Sequence, residues 1–113
     1  MSFGAFEVVR VPFPFTDRDA AKNRPALVLS DPQAFGVPSG HSVMAMITSA
    51  SNAPWPLDCA VRDLESAGLP SPSVVRFKLF TLDHSLVRGR LGTLCEGDAS
   101  AVRRAMGTLF GGG

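Results

Sequence analysis

Apolar and polar residues alternate with a period of two along Glu7-Val8-Val9-Arg10-Val11-Pro12-Phe13. This predicts a first strand with Val9, Val11 and Phe13 on one face and Arg10 on the other. Pro12 lacks a donor for a sheet ladder and marks an edge or the start of a bend. From Pro14 to Asn23 the chain is polar, with Thr16, Asp17, Arg18, Asp19 and Lys22, and reads as a loop of the kind that often carries function. Ala26 to Leu29 is an unbroken apolar run closed by Pro25 and by Asp31-Pro32, the pattern of a strand covered on both faces and entered at Arg24. A loop rich in Pro, Gly and Ser follows, from Asp31 to Gly40. The next strand, His41 to Ser49, sets Val43, Ala45 and Ile47 against Met44, Met46 and Thr48 and ends in two hydroxyls.

Asn52, Pro54, Trp55 and Pro56 lie in the loop before a short strand near Leu57 to Val61. A turn through Gly68, Pro70 and Pro72 leads to a fifth strand, Ser73 to Thr81, and Arg90 to Leu94 supplies a sixth. The period then changes. Val102, Ala105, Met106, Leu109 and Phe110 recur at helical spacing, with Asp98 as the expected cap, Arg103 and Arg104 turned outward, and the closing glycines as the stop. Short strands, irregular loops and one terminal helix predict a mainly β, small α+β domain spanning 1–113: an open β-barrel or sandwich with a C-terminal helix packed against it.

The 113 residues are 45% hydrophobic and 19% charged, which fits one folded domain, and eight phenylalanines suit a compact core. A formal net charge of +1 offers no bulk attraction to a polyanion or a membrane surface, so any nucleic acid has to be met by a local cluster of arginines. No leader-like or membrane-spanning stretch is visible, so a soluble cytoplasmic protein is expected. Cys59 and Cys95 read as free thiols, although spacing alone leaves their pairing open.

Candidate chemistry is narrow. The sequence has no phosphate-binding glycine loop, nucleophile elbow or metal-ligand cluster, and His41 and His84 stand far apart without a third partner. Glu96 and Asp98 are accounted for by the positive end of a helix, and Glu65 by a turn. Arg24 remains, a rigid cationic fork at a strand entrance. It either pairs with Asp17 or Asp19 or recognises a phosphate or carboxylate. If strands two and three pair antiparallel, Thr48 and Ser49 come beside Arg24. The hydroxyls then either satisfy strand-end backbone or complete a site for a tetrahedral anion. Alternation puts Arg76, Lys78 and Phe80 on one face, which is either a solvated exterior or a basic and aromatic surface for a single-stranded nucleic acid. Trp55 reads as a stacking platform, an interface anchor or a cap on the core.

Taken in order, Glu7-Val8-Val9-Arg10-Val11-Pro12-Phe13-Pro14-Phe15-Thr16, Lys22-Asn23-Arg24-Pro25-Ala26-Leu27-Val28-Leu29-Ser30, Met46-Ile47-Thr48-Ser49, Gly68-Leu69-Pro70 with Ser73-Val74-Val75-Arg76, and Phe80-Thr81-Leu82-Asp83 with Arg90-Leu91-Gly92 resemble the MazF/PemK family of toxin endoribonucleases. The resemblance runs from about Phe6 to Phe110. It implies an SH3-like open barrel, a homodimer, a cognate antitoxin with a disordered tail, and cleavage of single-stranded RNA without metal or other cofactor. Cleavage would proceed by 2′-hydroxyl attack, leaving 2′,3′-cyclic phosphate and 5′-hydroxyl ends.

By the same resemblance Arg24 and Thr48 are the catalytic pair, Ser49 binds substrate and Arg76 has a catalytic or RNA-binding role; Thr16, Lys22, Lys78 and Phe80 are expected as further substrate contacts from their own chemistry. Two departures stand out. Lys78 occupies a position where some relatives carry an aspartate proposed as a base, and a lysine, cationic at neutral pH, does not replace it. The usual glycine-aspartate before strand one is Phe6-Glu7 here, with little consequence expected for activity. A non-catalytic growth inhibitor acting on a protein such as a topoisomerase, or a degenerate inactive toxin, is the alternative on the same fold.

Overall fold

The computed structural model describes residues 2–13 and 22–112. Its strands are β1 (Glu7–Phe13), β2 (Lys22–Val28), β3 (His41–Ser49), β4 (Cys59–Ala60), β5 (Ser73–Asp83) and β6 (Gly89–Thr93), with α1 (Val37–Ser39), α2 (Leu64–Ala67) and α3 (Glu96–Leu109). They form one six-stranded sheet in the order β4-β5-β3-β2-β1-β6. Every neighbouring pair is antiparallel. This is the mainly β half-barrel with a C-terminal helix that the alternation predicts.

Both faces of the sheet are covered, as the apolar run in β2 requires. Leu27 and Leu29 enter one cluster with Val8, Ala45, Ile47 and Val75, closed over by Ala99 and Val102 of α3. Ala26 and Val28 enter the other with Val9, Val11, Met44, Leu82 and Phe3. Strand period two therefore assigns Arg24, two residues before Ala26, to the second face. There the apolar cluster gives way to exposed surface.

Two prolines sit where the ladder permits. Pro25 opposes Arg10 of β1, and the pairing of β2 with β3 begins only at Ala26. Pro12 lies beyond Arg10, the last β1 residue paired with β6. Both strands are interior to the sheet, so these are local edges created by short neighbours.

The sheet curls through two irregularities. One residue of β6 is left over between the Val8 and Val9 pairings. Between Ala45, paired with Leu79, and Met46, paired with Arg76, β5 carries Phe77 and Lys78 as extra residues. On the far side α2 lies directly on β6. A Cβ on Gly68, itself at φ 72°, would run into the Leu91 carbonyl, and one on Gly92 into the Ser66 carbonyl.

Several sequence expectations change. The Asp31 to Gly40 loop winds into a helical turn at Pro32–Gly36 that continues into α1, because the Asp31 carboxylate caps the Ala34 amide at 2.8 Å. Helix α3 is capped by Cys95, whose Sγ accepts from the Asp98 amide at 3.5 Å. Asp98, 5% exposed, instead accepts from the amides of Arg62 at 3.2 and 3.1 Å and Asp63 at 3.0 Å, tying the β4–α2 turn to the helix.

The phenylalanines are not all core. Phe3 and Phe77 are buried, whereas Phe13, Phe35 and Phe110 are exposed. Phe6, which replaces the glycine expected from the resemblance, holds φ 70° in the left-handed region. Its conformation is fixed on both sides, since its amide donates to Val28 O at 2.7 Å and its carbonyl accepts from Leu94 N at 3.0 Å.

Candidate functional site

Arg24 opposes Val11 in the β1–β2 ladder, and its guanidinium lies 5.5 Å from the centre of the Phe13 ring. The β2–β3 register, Ala26 against Met46, carries Arg24 toward Thr48 by two further steps in opposite directions. The two residues line both of two adjoining hollows. One, of about 320 Å³, is walled by Phe13, Met46, Lys78 and Phe80; the other, of about 280 Å³, by Ser49, Asn52, Pro70 and Ser73. Arg24 and Thr48 thus form the ridge between an apolar and aromatic compartment and a hydroxyl-rich one.

The hydroxyls are oriented by the β3–β4 loop. Asn52 Nδ2 donates to Thr48 Oγ1 at 2.6 Å, which occupies a lone pair of that oxygen and leaves its proton for another acceptor. Ser49 Oγ accepts from the Ser51 amide at 3.2 Å and meets Ser51 Oγ at 2.8 Å. Among the described residues Arg24 has no carboxylate within salt-bridge distance. Asp17 and Asp19, weighed as its partners, lie outside the described residues, as does Thr16. A guanidinium held over an aromatic ring, with an oriented hydroxyl across the strand, is matched to a tetrahedral anion that accepts from several donors at once.

Of the other residues singled out in the sequence, Lys78 and Phe80 line the first hollow. Lys22 is exposed at the start of β2, opposite Phe13. Arg76 differs. Its Nη2 donates to Asp58 Oδ2 at 2.9 Å and to Ala53 O at 2.8 Å, and its Nε to Asp58 Oδ1 at 3.2 Å. The side chain is 11% exposed and lines neither hollow. It clamps the β3–β4 loop from beneath. The same hydrogen bonds hold the Asp58 carboxyl below its usual range, with the Trp55 amide, at 3.0 Å, adding to the effect.

Asn52 and Asp58 were missed in the sequence. Asn52 carried a weak signal, an amide four residues beyond a strand-end threonine. Asp58, paired across 18 positions, carried none.

The histidines and cysteines have local partners away from the two hollows. His84 shares a 2.8 Å hydrogen bond with buried Ser42 and meets the Phe3 ring edge-on at 5.0 Å. His41 bonds Ser39 O and lies 4.0 Å from Asp83. Both cysteines are free, and burial pushes the Cys59 thiol up, away from nucleophilic use. Among the described residues no group of His, Cys, Asp and Glu is placed to hold a metal ion, and no helix is long and apolar enough to cross a membrane.

Several solved structures share this architecture. The Deinococcus radiodurans MazE-MazF complex (Form-III) is 24% identical with TM-score 0.74, covering 98% of each chain. A mycobacterial endoribonuclease in complex with its cognate antitoxin is 16% identical with TM-score 0.74, covering 97% of this chain and 94% of that one. Mycobacterium tuberculosis toxin MazF-mt6 is 21% identical with TM-score 0.72, covering 93% and 96%. At these identities the likeness establishes the fold, which is that of the MazF toxins. No curated protein matches the sequence closely enough to count as a relative.

The model of the PemK-like, MazF-like toxins of type II toxin-antitoxin systems matches residues 5–110, and the chain belongs to that family.

Proposed function

We propose that this toxin is an endoribonuclease that cleaves single-stranded RNA without a metal ion, with Arg24 and Thr48 at the scissile phosphate. The observation that carries the reading is the shared ridge: both residues face both hollows, so a strand laid across it places one phosphate between them and a nucleotide on either side. In the step proposed, the substrate 2′-oxygen bonds to phosphorus while the bond from phosphorus to the 5′-oxygen breaks. This gives a 2′,3′-cyclic phosphate and a 5′-hydroxyl.

The guanidinium of Arg24 neutralises charge growing on the non-bridging oxygens, and the Thr48 proton, free because Asn52 occupies the oxygen's lone pair, donates to the same oxygens. Ser49 binds the adjoining nucleotide. Neither hollow is lined by a carboxylate or an imidazole among the described residues. In the step proposed the 2′-proton leaves to water as the new bond forms, and one proton returns to the 5′-oxygen. Lys78 in the first hollow serves the phosphate chain rather than acting as a base.

The test is incubation of the purified protein with a long single-stranded RNA in EDTA, with fragment ends analysed. Discrete fragments with cyclic phosphate ends are expected, and Arg24→Ala and Thr48→Ala should each cut about 10²- to 10³-fold more slowly. Intact RNA, or wild-type rates in both variants, overturns the reading. A homodimer and a cognate antitoxin covering the same groove complete the proposal. Sedimentation of the free toxin and co-purification with the product of a neighbouring short reading frame test these two points.

A further inference from the structure

Trp55 is the single tryptophan of the chain, which has no tyrosine, and the residue is 43% exposed. Residues 50–56 are exposed throughout and carry no charge. An exposed indole in such a loop would ordinarily move with it, yet the backbone that carries this one is anchored on both sides. The Trp55 amide donates to Asp58 Oδ2 at 3.0 Å and the Trp55 carbonyl accepts from Asp58 N at 3.2 Å. Arg76 grips Asp58 and also the Ala53 carbonyl two residues before the ring. Pro54 and Pro56 restrict the backbone on either side of it. The Lys78 ammonium lies 4.6 Å from the ring centre, and Lys78 also walls the hollow that contains Arg24 and Thr48.

We infer that the Trp55 indole is a stacking platform for a nucleobase of single-stranded RNA, placed next to the phosphate at Arg24 and Thr48, with Lys78 on the phosphate that links the two positions. The inference rests on the RNA reading above and adds a base-binding subsite to it. A rigid aromatic face beside a flexible cation is the combination that holds single strands. The ring accepts any base, and the ammonium, now lodged on the ring, has a phosphate to turn to when a base arrives. Arg76 contributes no phosphate contact, since Asp58 already neutralises it; its part is to keep the platform still.

Because Trp55 alone supplies the long-wavelength fluorescence of the protein, its quenching reports occupancy of this one ring. The probes are short, uniformly 2′-O-methylated oligoribonucleotides of each base, which cannot be cleaved, and an abasic strand of the same length. Base-bearing strands should quench Trp55 and the abasic strand should not. Trp55→Ala should weaken binding of the base-bearing strands about 5- to 100-fold, and Trp55→Phe should retain most of the affinity, which also guards against a folding defect.

Equal binding by wild type and Trp55→Ala, or equal quenching by the abasic strand, overturns the inference. So does quenching that appears only with a protein partner. The two readings fail separately. Base-dependent quenching without cleavage of natural RNA keeps the platform and removes the nuclease, whereas cleavage without quenching does the reverse.

Discussion

The side-chain amide of Asn52 donates to the hydroxyl oxygen of Thr48 at 2.6 Å, so the loop that follows β3 decides where the last hydroxyl on that face of the strand can send its proton. Asn52→Ala removes the orientation but leaves the hydroxyl, and should lower the RNA cleavage rate by about 2- to 10-fold, the worth of one ordinary hydrogen bond. Asn52→Asp supplies an acceptor in place of the donor, turns the Thr48 proton away from substrate, and should cost more than the alanine variant. Single-turnover rates on one RNA substrate order the three proteins.

Arg24 is exposed and takes no part in the core, so Arg24→Ala should unfold at the wild-type temperature while losing activity. Arg24→Lys keeps the charge without the fork and should recover only part of the loss. Thermal melts paired with cleavage rates separate the two effects.

Salt dependence distinguishes the cations that touch phosphate from the one that does not. Arg24→Ala and Lys78→Ala should each reduce the slope of log affinity against log salt by about 0.7, as expected when one phosphate of a single strand is no longer neutralised. Arg76→Ala should leave that slope unchanged and lower the denaturation midpoint, because it strands Asp58 and frees the loop. The double variant Arg76→Ala with Asp58→Ala should be less destabilised than the sum of the singles.

The Asp58 carboxyl is held below its ordinary value of 3.8, chiefly by Arg76, so its contribution to stability is fully present above that value and is lost as the pH falls through the lowered one. An acid titration followed by Trp55 fluorescence should therefore show a loop transition below pH 3.8. The transition should vanish in Asp58→Asn. A midpoint at or above the ordinary value contradicts the clamp.

Phe6 pays for its left-handed backbone and recovers packing, since its ring lies against the core and the Arg103 guanidinium sits 4.7 Å from its centre. Phe6→Ala keeps the unfavourable φ and loses the ring, whereas Phe6→Gly loses the ring and relaxes the backbone. The glycine variant should be the more stable of the two by about 1 kcal/mol, reversing the usual order of alanine and glycine. Urea unfolding of both proteins checks this.

Much of the architecture was legible from local pattern. Period-two alternation in β1, β2 and β3 and the two apolar faces of Ala26 to Leu29 placed Arg24 at the mouth of the sheet. Antiparallel pairing of consecutive strands then brought Thr48 to it. What was not legible depends on partners distant in sequence. Alternation put Arg76 on a basic face but gave no sign of Asp58, which pairs with it from a loop whose path no propensity specifies. Asp98 stands where a helix cap belongs, yet faces amides 35 and 36 residues away. Helical winding after Asp31 was hidden by prolines and glycines that read as loop. The replacement of the glycine before strand one was visible as Phe6, but its consequence, a left-handed backbone at φ 70°, was not.

The pair of extra residues in β5 also limits how the gene can drift. Because Phe77 and Lys78 interrupt the ladder together, the strand regains its phase beyond them, and Phe80 and Leu82 still turn to the face that Arg76 occupies. Losing one codon there would rotate everything downstream by half a pleat and present Leu82 to water. Losing both would keep the phase but remove the lysine beside the indole. Length variation at this point is thus restricted to even steps, and each even step resets the charge at the rim of the groove.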